Sequence, residues 1–170
     1  KVGLSVDYFF TDRVGHAREL ATQILQKGYT KLAVMGGDGT FSEVIDGLMK
    51  SGEELSKLNV GLIPFGTGND WGRYWNLDRD IEKSIQVLAT GKVETVDVGK
   101  IKYDSEGEDI TRYFINAYGL GFDAKVLELT NNLQHTFKGA SWTYTLALFM
   151  TLLKNRSQVM EYEFDGGETF

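Results

Sequence analysis

Through the first half of the chain, short apolar runs alternate with longer stretches in which apolar residues recur every three or four positions. Val2 to Phe10 reads as a strand. Gly15 to Gly28 reads as a helix, because Ala17, Leu20, Ala21, Ile24 and Leu25 share one face and Gly28 ends it. Leu32 to Met35 forms a further short strand, after which Phe41, Val44, Ile45, Leu48 and Met49 repeat at helical spacing. Asn59 to Ile63 is the next strand, halted by Pro64. Asp80, a good N-cap, opens a helix through Ile81, Ile85, Leu88 and Ala89 to Gly91. Strands alternating with helices predict a parallel sheet with right-handed crossovers.

Beyond Gly91 the rhythm changes. Val93 to Tyr103 alternates partly, Asp104 to Asp109 is an acidic turn and Tyr113 to Tyr118 reads as a returning strand, together an antiparallel hairpin. We therefore expect an α/β domain over residues 1–94 and a second, mainly antiparallel domain over 95–170. In the latter, helices at Asp123 to Leu133 and Ala140 to Lys154 precede a strand, Gln158 to Phe164, and a turn at Asp165, Gly166 and Gly167. That second sheet is unfinished at the chain end. With an opening Lys1 in place of Met, this suggests a fragment.

The chemistry concentrates where the apolar runs stop. Gly36, Gly37, Asp38, Gly39 and Thr40 follow one strand, and Pro64 to Asp70, reading PFGTGND, follows the next. Glycine amides can close on a phosphate, and a helix starting just after the turn adds its positive end. The Thr40 and Thr67 hydroxyls can join them, while Asp38 can hold a metal or accept a proton. The plainer alternative is that Asp38 caps its helix and that Asn69 and Asp70 cap a short one. Ligands of parallel sheets bind outside the carboxyl ends of the strands, where both turns lie, and the pair favours an anion site.

Other nucleotide signatures fail. A GxGxxG beginning at Gly66 and Gly68 would need glycine where Trp71 stands, and Val93 and Ile101 occupy the P-loop Ser/Thr position after Gly91-Lys92 and Gly99-Lys100. A net charge of -6 without a basic block argues against nucleic-acid binding. No cysteine and only two histidines, His16 and His135, leave oxygen ligands for any metal. The apolar stretch Trp142 to Leu153 is too short to span a bilayer, and the chain lacks a signal-peptide-like start, so a cytoplasmic location is expected.

GGDGT followed by FSEVIDGL, then PFGTGND, DVGK at Asp97 to Lys100 and GLGFDAKV at Gly119 to Val126 resembles the diacylglycerol kinase catalytic-domain family, relatives of sphingosine and ceramide kinases. GGDGT alone also resembles NAD kinases and phosphofructokinases; PFGTGND decides between them. The resemblance runs from about Thr11 to the end. It implies ATP and Mg²⁺ between an α/β domain and a β-sandwich domain, with phosphate passing to a lipid hydroxyl, diacylglycerol first, at a membrane surface. Thr11, Gly37, Asp38, Gly39, Thr40, Glu43 and Thr67 would contact ATP or its magnesium, with Gly36, Gly66, Gly68 and Asn69 completing the cradle. His16, in the similar TDRVGHARELA segment, is expected to pack at a helix start. Asp70 and Asp123 would face the acceptor, although Asp123 is equally an N-cap for a helix at Ala124. Asp38, or a family carboxylate beyond this chain, would take the proton. The family's opening strand and its later magnesium-site residues are absent, so metal ligands are not assigned. A homodimer is left open. Trp142, Tyr144, Phe149 and Met150 form a stripe that would touch lipid or lie in a core. A kinase of a soluble acceptor and a non-catalytic nucleotide-binding module are the alternatives.

Overall fold

A computed structural model describes residues 5–77, 79–105, 107–117, 119, 121–136 and 142–154. The chain divides into two compact units, Lys1–Ala117 and Tyr118–Phe170.

The first unit is built on a parallel pair, β1 (Lys31–Gly36) and β2 (Asn59–Pro64), joined through helix α2 (Asp38–Lys50). The pairing runs in register from Lys31↔Asn59 to Gly36↔Pro64. Val34 and Leu62 are therefore neighbours on one face, and both are buried. Against them lie Phe41, Val44, Ile45 and Leu48 of α2 with Ala17 and Ala21 of α1 (His16–Gln26). These are the apolar positions that the helical spacing picked out. On the opposite face Gly61 leaves room for Leu88 of α4 (Ile81–Thr90), whose Cδ2 would lie 1.9 Å from a Cβ there.

Helix ends follow local chemistry. Asp80 caps α4, its carboxylate accepting from the Glu82 and Lys83 N–H groups. The chain leaves α1 through Gly28 at φ +82°, with its N–H on the Leu25 carbonyl at 2.8 Å. A short helix, α3 (Asp70–Tyr74), follows the second glycine-rich turn.

A hairpin forms beyond Val93, but with other bounds than expected: β3 (Gly99–Ser105) and β4 (Glu108–Phe114) are antiparallel, Asp104 and Asp109 of the expected turn pair inside the ladder, and the return expected at Tyr113 to Tyr118 overlaps β4 only at Tyr113 and Phe114. The hairpin belongs to the first unit and packs on α2, so the compact division falls after Ala117, whereas the sequence placed a boundary at residue 94. A short strand pair cannot bury both faces alone, and α2 supplies the cover. The strand expected over Val2 to Phe10 does not form in residues 5–10. These residues pair with neither edge of the β1–β2 sheet; Tyr8 and Phe10 are exposed, and Phe9 packs edge-on against Tyr29 with Lys27 over its ring.

The second unit pairs α5 (Phe122–Thr136) with α6 (Thr143–Lys154). Thr143, Ala147 and Thr151 of α6 are buried, whereas Tyr144, Leu148, Phe149, Leu152 and Leu153 are exposed. Small residues face inward and large apolar ones outward. The predicted strand at Gln158 to Phe164 and the turn after it lie outside the described residues. Among the described residues no helix is long and apolar enough to cross a membrane.

Candidate functional site

The in-register pairing of β1 and β2 brings the two glycine-rich turns together. Gly36 lies opposite Pro64, and the Phe65 N–H donates to the Gly36 carbonyl at 2.8 Å, carrying the pairing one step past the sheet. Gly37 and Gly66 then pack backbone on backbone. A Cβ on Gly66 would stand 2.5 Å from the Gly37 Cα, a separation no side chain tolerates. Thr40 lies over Gly36, with its Cβ 2.9 Å from where a Gly36 Cβ would be. Gly39 differs: nothing lies within 4 Å of its would-be Cβ, which faces open space in the first turn of α2.

Asp38 is the joint between the turns. Its Oδ2 accepts from the Asp70 N–H at 3.0 Å and its Oδ1 from the Trp71 N–H at 3.1 Å. A cap was one reading of this residue, but the helix it caps is α3, 32 residues on, and not α2, which it begins. Asn69, at the N-cap of α3, takes a left-handed conformation (φ 56°) and makes no side-chain cap bond. Its Nδ2 donates to the Gly66 carbonyl at 2.8 Å and closes the turn on itself. Its buried Oδ1 lacks a hydrogen-bond partner and lies 2.8 Å from the would-be Cβ of Gly66. Gly68 lies beside two carboxylates, its would-be Cβ 3.1 Å from Asp38 Oδ2 and 3.9 Å from Asp70 Oδ2. Asp70 also pairs with Arg73, and Arg79 donates to the Thr67 carbonyl at 2.9 Å.

Glu43 follows Gly39 by four positions and so shares its face of α2. Its two oxygens receive the Gly15 N–H at 3.0 and 3.1 Å, an anchor for the start of α1 that the sequence did not suggest. Thr11 is exposed in the segment leading to that anchor. His16, in the first turn of α1, accepts from the Asp12 N–H at 3.2 Å, a helix-start role as expected. Asp123 lies within the first turn of α5 in the second unit, a residue past the helix start, so it is not the N-cap. The structure thus gathers Gly36 to Thr40 with Gly66 to Asp70 and places Asp123 in a separate unit.

Two features escaped sequence reasoning. Trp71 packs on Phe41 (ring centroids 5.9 Å apart) and stacks with Tyr74, forming an aromatic cluster with Trp75 beside the second turn. Asp46 is 2% exposed on α2 and receives Arg18 Nε (2.5 Å), Lys50 Nζ (3.0 Å) and the Tyr113 N–H (2.9 Å). Burial pushes its carboxyl up, but the Tyr113 N–H, Lys50 and Arg18 together outweigh that and leave it below its ordinary value. The sequence carried no clear signal, because at 100° per residue Asp46 falls off the stripe of Phe41, Val44, Ile45 and Leu48; α1 and β4, packing on α2, cover it.

Among the described residues no three His, Cys, Asp or Glu side chains gather as a metal site. The arrangement suits an anion held by backbone and hydroxyl groups. A cation carried on that anion would find the Asp38 and Asp70 carboxylates together beside Gly68.

Comparison with known proteins gives a consistent result. The model of the diacylglycerol kinase catalytic domain matches residues 1–101. A diacylglycerol kinase of Staphylococcus carnosus (strain TM300) is 34% identical over 98% of this chain and 50% of its own length. One from Staphylococcus saprophyticus is 38% identical over 68% of this chain and 34% of its own length. A crystal structure of a candidate diacylglycerol kinase from Bacillus anthracis str. Sterne superposes with a TM-score of 0.54 at 26% identity, covering 73% of this chain and 41% of that one. The chain spans about half the length of the first of these curated relatives.

Proposed function

This chain belongs to the diacylglycerol kinase catalytic domain family, and we propose that it forms the nucleotide-binding part of an ATP-dependent lipid kinase that phosphorylates the hydroxyl of diacylglycerol. One observation carries the reading. Two glycine turns leave adjacent parallel strands at the same level and touch through Gly37 and Gly66, while Gly39 opens free space at the start of α2. Fixed backbone dipoles of this kind stabilise phosphate charge without reorganising.

Phosphoryl transfer asks a protein chiefly to align two substrates and to offset developing charge. The backbone of Gly36 to Thr40 and Gly66 to Gly68, with the Thr40 and Thr67 hydroxyls, would hold the phosphates. Asp38 locks one turn to the other through two N–H groups, and each carboxylate oxygen keeps a lone pair for a cation or a proton. Asn69 fixes the Gly66 carbonyl inward. Glu43 holds the start of α1, beside Thr11, against the same face of α2. A divalent cation, when bound on the nucleotide, supplies charge neutralisation, with Asp38 and Asp70 as its protein carboxylates. Asp70 and Asp123 are the acceptor-side candidates.

The outward Leu148, Phe149, Leu152 and Leu153 of α6, with Trp142 and Tyr144 near one end and Lys154 at the other, support contact with a lipid surface. The test is transfer from γ-labelled ATP by the full-length protein to diacylglycerol in mixed micelles and, separately, to NAD. Label in the lipid is expected. Label only in the soluble acceptor defeats the lipid reading, and label in neither defeats the kinase.

A further inference from the structure

Asp46 is a buried carboxylate that the nucleotide site does not use. It ties its own helix to two segments remote in sequence: one oxygen receives Arg18 of α1 and Lys50, one turn further along α2, with Arg112 Nη1 of β4 3.5 Å away, and the other receives the Tyr113 N–H of β4. Gly47 beside it brings α1 against α2, since a Cβ there would stand 2.3 Å from the Arg18 carbonyl oxygen. A buried ion cluster adds little stability over an apolar replacement of equal size, but it fixes direction, which an apolar contact does not. Here the direction has two ends. Helix α2 begins at Asp38 and Gly39, eight residues and about 12 Å from Asp46 at 1.5 Å per residue. Strand β4 is the last strand before the second unit opens at Tyr118.

We propose that Asp46 is a positioning residue for phosphoryl transfer: by clamping β4 to α2, it fixes the hairpin relative to the start of the helix that carries the phosphate-holding turn. The inference rests on the lipid-kinase reading. Its signature is a loss confined to acceptor use, because the nucleotide turns themselves contain no Asp46 contact among the bonds described.

The experiment uses the full-length protein with Asp46→Asn, which keeps the size and an acceptor for Tyr113, and with Arg112→Gln, which alters only the half-exposed hairpin cation. Per folded molecule, the KM for ATP is expected to stay within about twofold while kcat/KM for diacylglycerol falls by about tenfold in Asp46→Asn and less in Arg112→Gln, the size expected when reactants are misplaced by under an ångström. Lys50→Gln, on α2 itself, lowers Tm without changing that ratio. Hydrogen exchange of residues 108–114 provides a readout that needs no turnover: Mg-ATP slows it in the wild type and not in Asp46→Asn. Equal loss for ATP and lipid, unchanged kinetics in both variants, or exchange that responds alike with and without the carboxylate overturns the proposal. A wild type that phosphorylates no lipid but shows the nucleotide-dependent slowing, abolished in Asp46→Asn, rejects the lipid acceptor and keeps the clamp.

Discussion

Gly39→Ala separates folding from ligand binding more sharply than any other change in the site. The added methyl meets nothing within 4 Å, and the backbone there is in the first turn of a helix. On the free protein the substitution is therefore helix-stabilising, by up to about 1 kcal/mol, because alanine loses less backbone freedom than glycine. For a chain of this size that raises Tm by about 2–4 °C. If the open space is where phosphate approaches the backbone, the methyl blocks it, and ATP affinity falls by about 10- to 100-fold, or roughly 1.4–2.8 kcal/mol. Thermal melts of the full-length protein without nucleotide give the first quantity and titration calorimetry with Mg-ATP the second. A raised Tm with weakened ATP binding is the expected pair. A raised Tm with unchanged affinity refutes the assignment of that space to phosphate.

Gly66→Ala should act oppositely on the fold, since its methyl meets the Gly37 backbone at 2.5 Å; overpacking costs about 1–3 kcal/mol, seen as a lower Tm and a lower urea midpoint. Asp38→Ala strands the Asp70 and Trp71 N–H groups, so α3 loosens, stability drops by about 1–3 kcal/mol and the emission of Trp71 shifts toward that of exposed indole. Asp46 has a lowered folded pKa, so its contribution is fully present above the unfolded aspartate value, about 3.9, and is lost as pH falls through the folded one. Urea melts from neutral to acid pH should show that decline, and Asp46→Asn should flatten it. Glu43→Ala should free the Gly15 N–H and speed its hydrogen exchange, leaving the end of α1 near Gln26 unaffected.

The helices and the β1–β2 pair were legible because their apolar residues repeat at the period of the element they form. Phe41, Val44, Ile45 and Leu48 are both the predicted face and the observed core of α2. The turns were legible because glycine clusters at strand ends have few other uses. What escaped depends on distant partners. Residues 5–10 have strand-like alternation but pair with neither edge of the β1–β2 sheet, and pairing is not encoded in alternation. A local cap was the plainer alternative for Asp38, and the helix it caps begins 32 positions away, through a meeting that only the sheet register creates. Asp46 ties to Tyr113 across 67 residues, within the α2–β4 packing that lies past the boundary suggested by the change of rhythm after Gly91. The stripe read from the sequence, Trp142, Tyr144, Phe149 and Met150, matches the outward face of α6 only in part: Leu148, Leu152 and Leu153 are exposed as well and Met150 is half-buried, because Thr143, Ala147 and Thr151 pack inward.

The central claim is that the two glycine turns grip one triphosphate together. Amide spectra of the full-length protein titrated with Mg-ATP address it directly. The account predicts saturable shifts at Gly37, Gly39 and Thr40 and at Gly66 to Asn69, with a single common affinity. Shifts confined to one turn, or absent from both while ATP binds elsewhere, contradict it.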